Sequence, residues 1–98
     1  MTFRVRFAED SEQTLRKLKH SPHLAKRYKA VTKAVRLLAE NPRHPSLQTH
    51  KYHSLQGPDH EEIFEAYAEQ DTPAAYRIFF SYGPSKGEIT IVAITPHA

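Results

Sequence analysis

The spacing of the apolar residues changes near residue 45, and this change limits the folds that the chain can adopt. Before it, apolar residues recur every three or four positions, which is the spacing of a helix with one buried face. They are Leu24, Tyr28, Val31, Val35 and Leu38. After it, short apolar runs are separated by turn residues, which indicates strands. The chain therefore predicts helices followed by a series of strands, an α+β fold.

The first 45 residues contain one further strand and one further helix. Residues 3–7 alternate between apolar residues and arginine and so predict a strand. Asp10 or Ser11 is expected to cap the first helix, and Ser21-Pro22 to begin the second. The second helix should end at Asn41-Pro42, because a residue before proline disfavours the α region. The two helices are expected to form an antiparallel hairpin.

Four more strands are predicted, at residues 47–55, 63–69, 75–82 and 88–95, with turns at Gly57-Pro58-Asp59, at 70–72 and at 83–87. The order β-α-α-β-β-β-β predicts one two-layer domain over residues 1–98. In it, the helical hairpin covers one face of an antiparallel sheet. The covered face is expected to hold Phe64, Ala66, Ala68, Tyr76, Ile78, Phe80, Val92 and Ile94.

The opposite face of the sheet should collect polar and aromatic side chains, because side chains alternate along a strand. Its expected members are Arg4, Arg6, Glu65, Tyr67, Arg77, Phe79 and His97. A three-residue loop at 70–72 would place Glu65 directly opposite Arg77, as a cross-strand ion pair. Arg77 would also lie opposite Ala93, with His97 about 13 Å further along the last strand. An ion pair beside a terminal histidine and a reaction site both fit this pattern.

Charge is distributed unevenly along the chain. Residues 1–45 hold eleven Lys and Arg against four Asp and Glu, a balance of +7, whereas residues 46–98 hold three against seven, a balance of −4. A basic half suits nucleic acid or an acidic partner protein, and lysine-rich helix surfaces explain it equally well. The absence of cysteine excludes disulfides and thiolate sites. Arg4 and Arg6 interrupt the apolar stretch that a signal peptide would need at the N-terminus, and no apolar run approaches the length of a membrane span. A cytoplasmic protein without a membrane segment is therefore expected.

Histidines cluster around the predicted strand at 47–55; they are His44, His50, His53 and His60. His50 and His53 would point to opposite faces of a strand, which disfavours joint metal ligation, so no metal site is expected. Contact with RNA or proton transfer suits these side chains better, with a solvated surface as the default. Lys51 and His53 would share a face. Which face this is stays open, because Leu47 and Leu55 fit either.

Several segments together resemble the RelE/ParE toxin superfamily. They are Leu37-Leu38-Ala39-Glu40-Asn41-Pro42-Arg43-His44-Pro45-Ser46-Leu47, the Leu55-x-Gly57 turn, Ile63-Phe64-Glu65, Tyr76-Arg77-Ile78-Phe79-Phe80 and Ile94-Thr95-Pro96-His97. The resemblance implies the sheet order 1-5-4-3-2 and a small bacterial toxin neutralised by a cognate antitoxin. One branch of the superfamily cuts mRNA in the ribosomal A site, and another poisons DNA gyrase.

The resemblance also implies roles for individual residues in the nuclease branch. Arg77 would stabilise the phosphate in the transition state, and Glu65 matches a glutamate common in the family. His97 lies where several nuclease members place a general acid or another reactive side chain. Tyr67 departs from the family pattern, which leaves the general base open. No cofactor is implied. RNA contacts are predicted at Arg4, Arg6, Lys51, His53, Tyr67 and Phe79. An acidic antitoxin segment, or ribosomal RNA, is expected at Lys17, Lys26, Lys33 and Arg36.

Overall fold

The elements occur in the predicted order in a computed structural model that describes residues 2–57 and 59–97. The strands and helices are β1 (Arg4–Phe7), α1 (Glu9–Lys19), α2 (Ala25–Glu40), β2 (His50–Gln56), β3 (Glu62–Tyr67), β4 (Tyr76–Tyr82) and β5 (Glu88–Pro96). Pro58, part of a predicted turn, lies outside the described residues. None of the helices in these two ranges is long and apolar enough to cross a membrane.

The five strands form one sheet in the order β1-β5-β4-β3-β2, which confirms the implied order. β2 to β5 are antiparallel neighbours, whereas β1 pairs in parallel with β5. The sheet is therefore mixed and not wholly antiparallel. The reason is that no hairpin connects β1 to β5. After β1, the chain passes through α1 and α2 and crosses to the other edge of the sheet, where β2 begins. β5 is a central strand and is buried at Ile89, Ile91 and Ile94.

Both helices begin at positions other than those predicted. α1 has Ala8 at its N-cap, so Asp10 and Ser11 lie inside its first turn. Ser11 is fully buried, and its hydroxyl lies 2.8 Å from the carbonyl oxygens of Ala8 and Ile91, which ties α1 to β5. Ser21-Pro22 opens a 3₁₀ turn, and α2 follows it. α2 ends before Asn41, as predicted.

The core lies between the helices and one face of the sheet. The predicted covered residues from β3 and β4, together with Ile94, belong to it or pack against it. Val92 does not, because a bulge in β5 pairs Phe79 with Ala93 and Phe80 with Ile91, which leaves Val92 without a partner. Ile91 takes the core position instead and is fully buried. At the other edge, Leu47 is buried in a 3₁₀ turn before β2 rather than in the strand.

The registers of β3–β4 and β4–β5 both differ from the prediction by two residues. Arg77 lies opposite Tyr67 on one side and Thr95 on the other, not opposite Glu65 and Ala93. The β3–β4 connection is longer than three residues because left-handed backbone at Asp71 and Ala74 turns the chain before β4 begins. A shift of two keeps the side chains of β3 and β4 on their predicted faces. It also brings His97 to about 7 Å beyond Arg77 along the strand direction.

Candidate functional site

Arg77 and Glu65 form a short ion pair on the sheet face away from the helices. Nη1 of Arg77 donates to Oε2 of Glu65 at 2.6 Å, although the two residues are diagonal rather than opposite neighbours. The predicted pair is therefore confirmed and its predicted register is wrong. Glu65 is only 2 % exposed, and the side chain of Arg77 is 19 % exposed. The carboxylate is covered, while part of the guanidinium reaches solvent.

His50, which the sequence grouped with surface histidines, binds the other oxygen of the same carboxylate. Its Nε2 lies 2.7 Å from Oε1 of Glu65, and its Nδ1 lies 3.0 Å from the carbonyl oxygen of Gln48. β2 pairs with β3 so that His50 lies directly opposite Glu65. The histidine side chain is half exposed. The sequence did not reveal this contact, because it left open which face of the sheet the side chains of β2 point to.

The guanidinium of Arg77 is also held by an aromatic ring. Its central carbon lies 5.1 Å from the ring centre of Phe79, within the range of a cation–π contact. Tyr52 packs edge-on against the same ring, with centroids 4.9 Å apart, and Phe79 is only 4 % exposed. Phe79 therefore lies on the predicted face, but it is buried there and offers no open surface on which a base could stack. Tyr52 is the half-buried aromatic side chain above it.

A groove of about 580 Å³ lies near the start of β4, and Tyr67 and His97 both line it. Arg77 is not one of its lining residues but lies directly opposite Tyr67 in the sheet. Gln48, Glu69 and the loop at 70–75 complete the wall of the groove. The backbone N–H of His97 donates to the carbonyl oxygen of Ala75 at 2.8 Å, so the histidine continues the β4–β5 ladder past the strand end. The structure thus brings Tyr67, Arg77 and His97 together at one end of the sheet.

The loop that forms this groove is attached to α2 by one arginine. Nη1 of Arg27 lies 2.7 Å from Oε2 of Glu69, and Nη2 donates to the carbonyl oxygen of Pro73. Gln70 donates to the backbone carbonyl of Ser46 and accepts from Gln48. These contacts hold the groove wall between α2 and the start of β2.

Arg4 and Arg6 lie far from this end of the sheet. Arg4 pairs with Glu88 and Arg6 with Thr90 in the parallel ladder, whereas Arg77 lies opposite Thr95. Arg6 is therefore roughly 15 Å from Arg77 along β5. Both β1 arginines are exposed and lie 3.7 Å from the buried carboxylate of Glu88. They lie on the predicted face of the sheet, away from the core, but at the opposite end from Arg77.

Lys51 and His53 do not share a face with Arg77. Lys51 lies opposite Phe64, whose ring packs against the core, and its Nζ is 2.8 Å from Oε2 of Glu62. The hydrogen bond and charge of Lys51, and to a smaller extent the charge of His53, lower the pKa of Glu62. His50 and Tyr52 take the positions beside Arg77 that the prediction left open. Within the described residues, no group of three or more His, Asp or Glu side chains is placed to hold a metal ion.

The four cations predicted to bind a partner are exposed on the helices: Lys17 on α1, and Lys26, Lys33 and Arg36 on α2. Lys29 is exposed as well and falls between Lys26 and Lys33 at helical spacing. The α2 members therefore form one basic stripe on the layer opposite Arg77. Lys29 was not among the predicted partner-binding residues, although its spacing from Lys26 and Lys33 already placed it on this stripe.

No protein-family model and no curated protein matches the sequence. Three solved structures share its fold along almost the whole of both chains. The archaeal RelE–RelB complex from Pyrococcus horikoshii OT3 is 20 % identical, with a TM-score of 0.67 and 98 % and 96 % of the two chains covered. The YoeB/ParE toxin from Agrobacterium tumefaciens is 10 % identical, with a TM-score of 0.71 and 98 % and 100 % covered.

The third structure is the YoeB dimer from Staphylococcus aureus, which is 10 % identical, with a TM-score of 0.68 and all of both chains covered. At sequence identities this low, the structural similarity establishes the fold alone. The activity has to be argued from the chemistry of the site. The fold implied by the sequence resemblance, that of the RelE/ParE toxins, is confirmed.

Proposed function

We propose that this protein is the toxin of a type II toxin–antitoxin pair and that it cuts mRNA on the ribosome. The observation that carries the proposal is Arg77, which is held in place, partly exposed and opposite Tyr67, a residue that lines a groove together with His97. Cleavage through the 2′-hydroxyl needs a cation for the phosphate and groups that accept and donate protons. Arg77 supplies the first, and His97 acts as general acid.

The proposed partners follow from the fold and from the charge. A solved neighbour is a RelE–RelB complex, which supports a cognate antitoxin for this chain. The basic stripe on α2 and Lys17 on α1 lie on the layer away from Arg77. An acidic antitoxin segment bound there would leave the groove uncovered. Neutralisation would then act by keeping the toxin off the ribosome, through the surface that the antitoxin covers or through the size of the complex.

A toxin of the gyrase-poison kind is the second candidate. It is favoured by the pairing of Arg77 with Glu65, which gives the arginine a structural partner in the absence of substrate. The acidic second part of the chain points the same way, since only three Lys and Arg lie beyond residue 45. Inhibition of DNA gyrase together with intact mRNA would support this function over the first.

The test is translation in a cell-free bacterial system with the purified chain, followed by mapping of mRNA ends. We expect cleavage by the wild type and a loss of about 100-fold or more in Arg77→Lys, because lysine keeps the charge but loses the planar set of donors. Glu62→Gln, an exposed change on the other face, serves as the control. Translation arrest with uncut mRNA would contradict the nuclease proposal.

A further inference from the structure

Glu65 is the most deeply buried carboxylate among the described residues, at 2 % exposure, and both of its oxygens are occupied. Oε1 faces Nε2 of His50 at 2.7 Å, and Oε2 accepts from Nη1 of Arg77 at 2.6 Å. The two partners come from the strands on either side, β2 and β4. One carboxylate thus links three adjacent strands at the candidate site.

This arrangement does not suit Glu65 as the base for a 2′-hydroxyl. A general base must come within hydrogen-bond distance of the proton that it removes. The side chain of Glu65 is only 3 % exposed, so the ring of His50 and the guanidinium of Arg77 stand between it and a substrate. A proton taken up by this carboxylate would also weaken both of its charged contacts.

The surroundings of His50 favour a hydrogen-bond donor. Nε2 faces the carboxylate of Glu65, and Nδ1 faces the carbonyl oxygen of Gln48, which can only accept. A ring with N–H groups on both nitrogens satisfies both contacts at once, whereas a neutral ring satisfies one. Tyr67 is a further ionisable side chain beside His50, and the centroids of the two rings lie 5.9 Å apart. Half of the His50 side chain remains exposed on the same face as Arg77.

We propose that Glu65 is a positioning residue that holds His50 and Arg77 side by side, and that these two side chains together bind one phosphate group of the RNA. The carboxylate between them offsets the charge of Arg77 and faces Nε2 of His50, which keeps the two side chains side by side. Nη2 of Arg77 donates to no described residue, so the guanidinium keeps a donor for a ligand; Nε is buried without a partner among those residues and does not reach solvent. This inference rests on the proposed function and adds His50 to its site.

The first test needs no substrate turnover. Ring nitrogen signals of His50 and guanidinium signals of Arg77 are recorded by NMR in the wild type, in Glu65→Gln and in Glu62→Gln. Glu62 is a matched control because it lies on the same strand and also pairs with a β2 side chain, Lys51, on the other face. We expect both sets of signals to change in Glu65→Gln and neither in Glu62→Gln. Unchanged signals in Glu65→Gln would overturn the positioning role.

The second test is titration with inorganic phosphate, followed on the same signals. Glu65→Gln makes the site more positive by one charge, so an effect of charge alone would tighten phosphate binding. Loss of positioning predicts the opposite, a weakening of several-fold, and a similar weakening in His50→Gln. His50→Gln keeps a donor for Glu65 at a half-exposed position, so it tests the site without removing a buried group. Tighter binding in Glu65→Gln would contradict the proposal.

The third test uses ribosome-dependent cleavage and its pH dependence. Misplacement of Arg77 in Glu65→Gln should lower kcat by about 10- to 100-fold with little change in KM, and the acid limb of the pH–rate profile should remain. Loss of that limb would identify Glu65 as the base and overturn the proposal. A wild-type chain that leaves mRNA intact would refute the proposed function instead, while the NMR signals and the phosphate titration would still decide the role of Glu65.

Discussion

At the scale of single residues, the buried carboxylate of Glu65 makes its two partners important for stability as well as for the proposed activity. An ion pair that is taken out of water contributes little net stability, but removal of one partner leaves a charge without compensation. Glu65 has two partners, Arg77 and His50, so the loss of either one leaves the other in place. The cost of each single change should therefore be moderate.

We predict that Arg77→Met lowers the free energy of unfolding by about 2 kcal/mol. This is less than the ~3–5 kcal/mol of a fully buried pair, because His50 remains and part of the guanidinium is exposed. Urea denaturation measures the change. Arg16→Met is the matched control, since the Arg16–Glu12 pair is mostly exposed and should contribute about 0.5 kcal/mol or less. Equal effects of the two substitutions would show that Glu65 is not desolvated.

The ion pair between Lys51 and Glu62 gives a prediction on pH. The hydrogen bond from Lys51, followed by its charge, lowers the pKa of Glu62 below its ordinary value. A carboxyl group with a lowered pKa stabilises the fold above its unfolded pKa, and this contribution is lost as the pH falls through the folded value. Lys51→Met should raise the pKa of Glu62, measured by carbon NMR of the carboxyl group. No upward shift would mean that the pair does not form in solution.

At the scale of elements, the bulge in β5 decides which side chains reach the core. Strict alternation assigns Val92 and Ile94 to the covered face, yet the bulge puts Ile91 and Ile94 there instead. A bulge inserts one residue without a partner, so the side chains before it exchange faces relative to those after it. The apolar character of β5 on both faces, expected for a central strand, hides this exchange in the sequence.

The bulge predicts unequal effects of two neighbouring substitutions. Ile91→Ala should destabilise the protein by about 3 kcal/mol, because it removes a fully buried side chain and leaves a cavity. Val92→Ala should cost about 1 kcal/mol or less, because Val92 is only half-buried and lies outside the core cluster. Thermal and urea unfolding of both variants provide the measurement. A larger cost at Val92 would place the bulge elsewhere.

At the scale of the whole molecule, charge and candidate site lie on different layers. The basic stripe belongs to the helices, and Arg77, His50 and His97 belong to the sheet. The layers are joined at the groove by Arg27, whose contacts to Glu69 and Pro73 attach the loop at 70–75 to α2. A partner on the helices and an RNA on the sheet would therefore occupy separate surfaces.

This separation predicts that partner binding and cleavage respond to different substitutions. Replacement of Lys17, Lys26, Lys33 and Arg36 by glutamine should weaken binding of the cognate antitoxin by about 10-fold or more, because charges that favour association are removed. The antitoxin affinity of this variant should not depend more steeply on salt concentration than that of the wild type. mRNA cleavage should persist. Arg43 and Lys86, exposed and outside the stripe, provide control substitutions. Lost cleavage with intact antitoxin binding would assign the stripe to ribosomal RNA instead.

Much of the fold followed from patterns between near neighbours in the chain. The apolar stripe from Leu24 to Leu38 predicted α2, and proline at 42 predicted its end. Alternation predicted that Glu65 and Arg77 share a face, and the ion pair expected from a register two residues away is present. For the site, the roles of Arg77 and His97 remain predictions, and His50 was not selected because the facing of β2 was open.

The sequence by itself determined the element types, their order and the faces of β1, β3 and β4, because these depend on residues within a few positions of one another. Only the tertiary structure decided which side chains meet. The loop at 70–75 and the bulge at Val92 set the registers of β4, and the backbone conformations responsible for both depend on distant contacts. Glu65 is buried because His50 and Arg77, from two other strands, close over its carboxylate, a covering that no local pattern records.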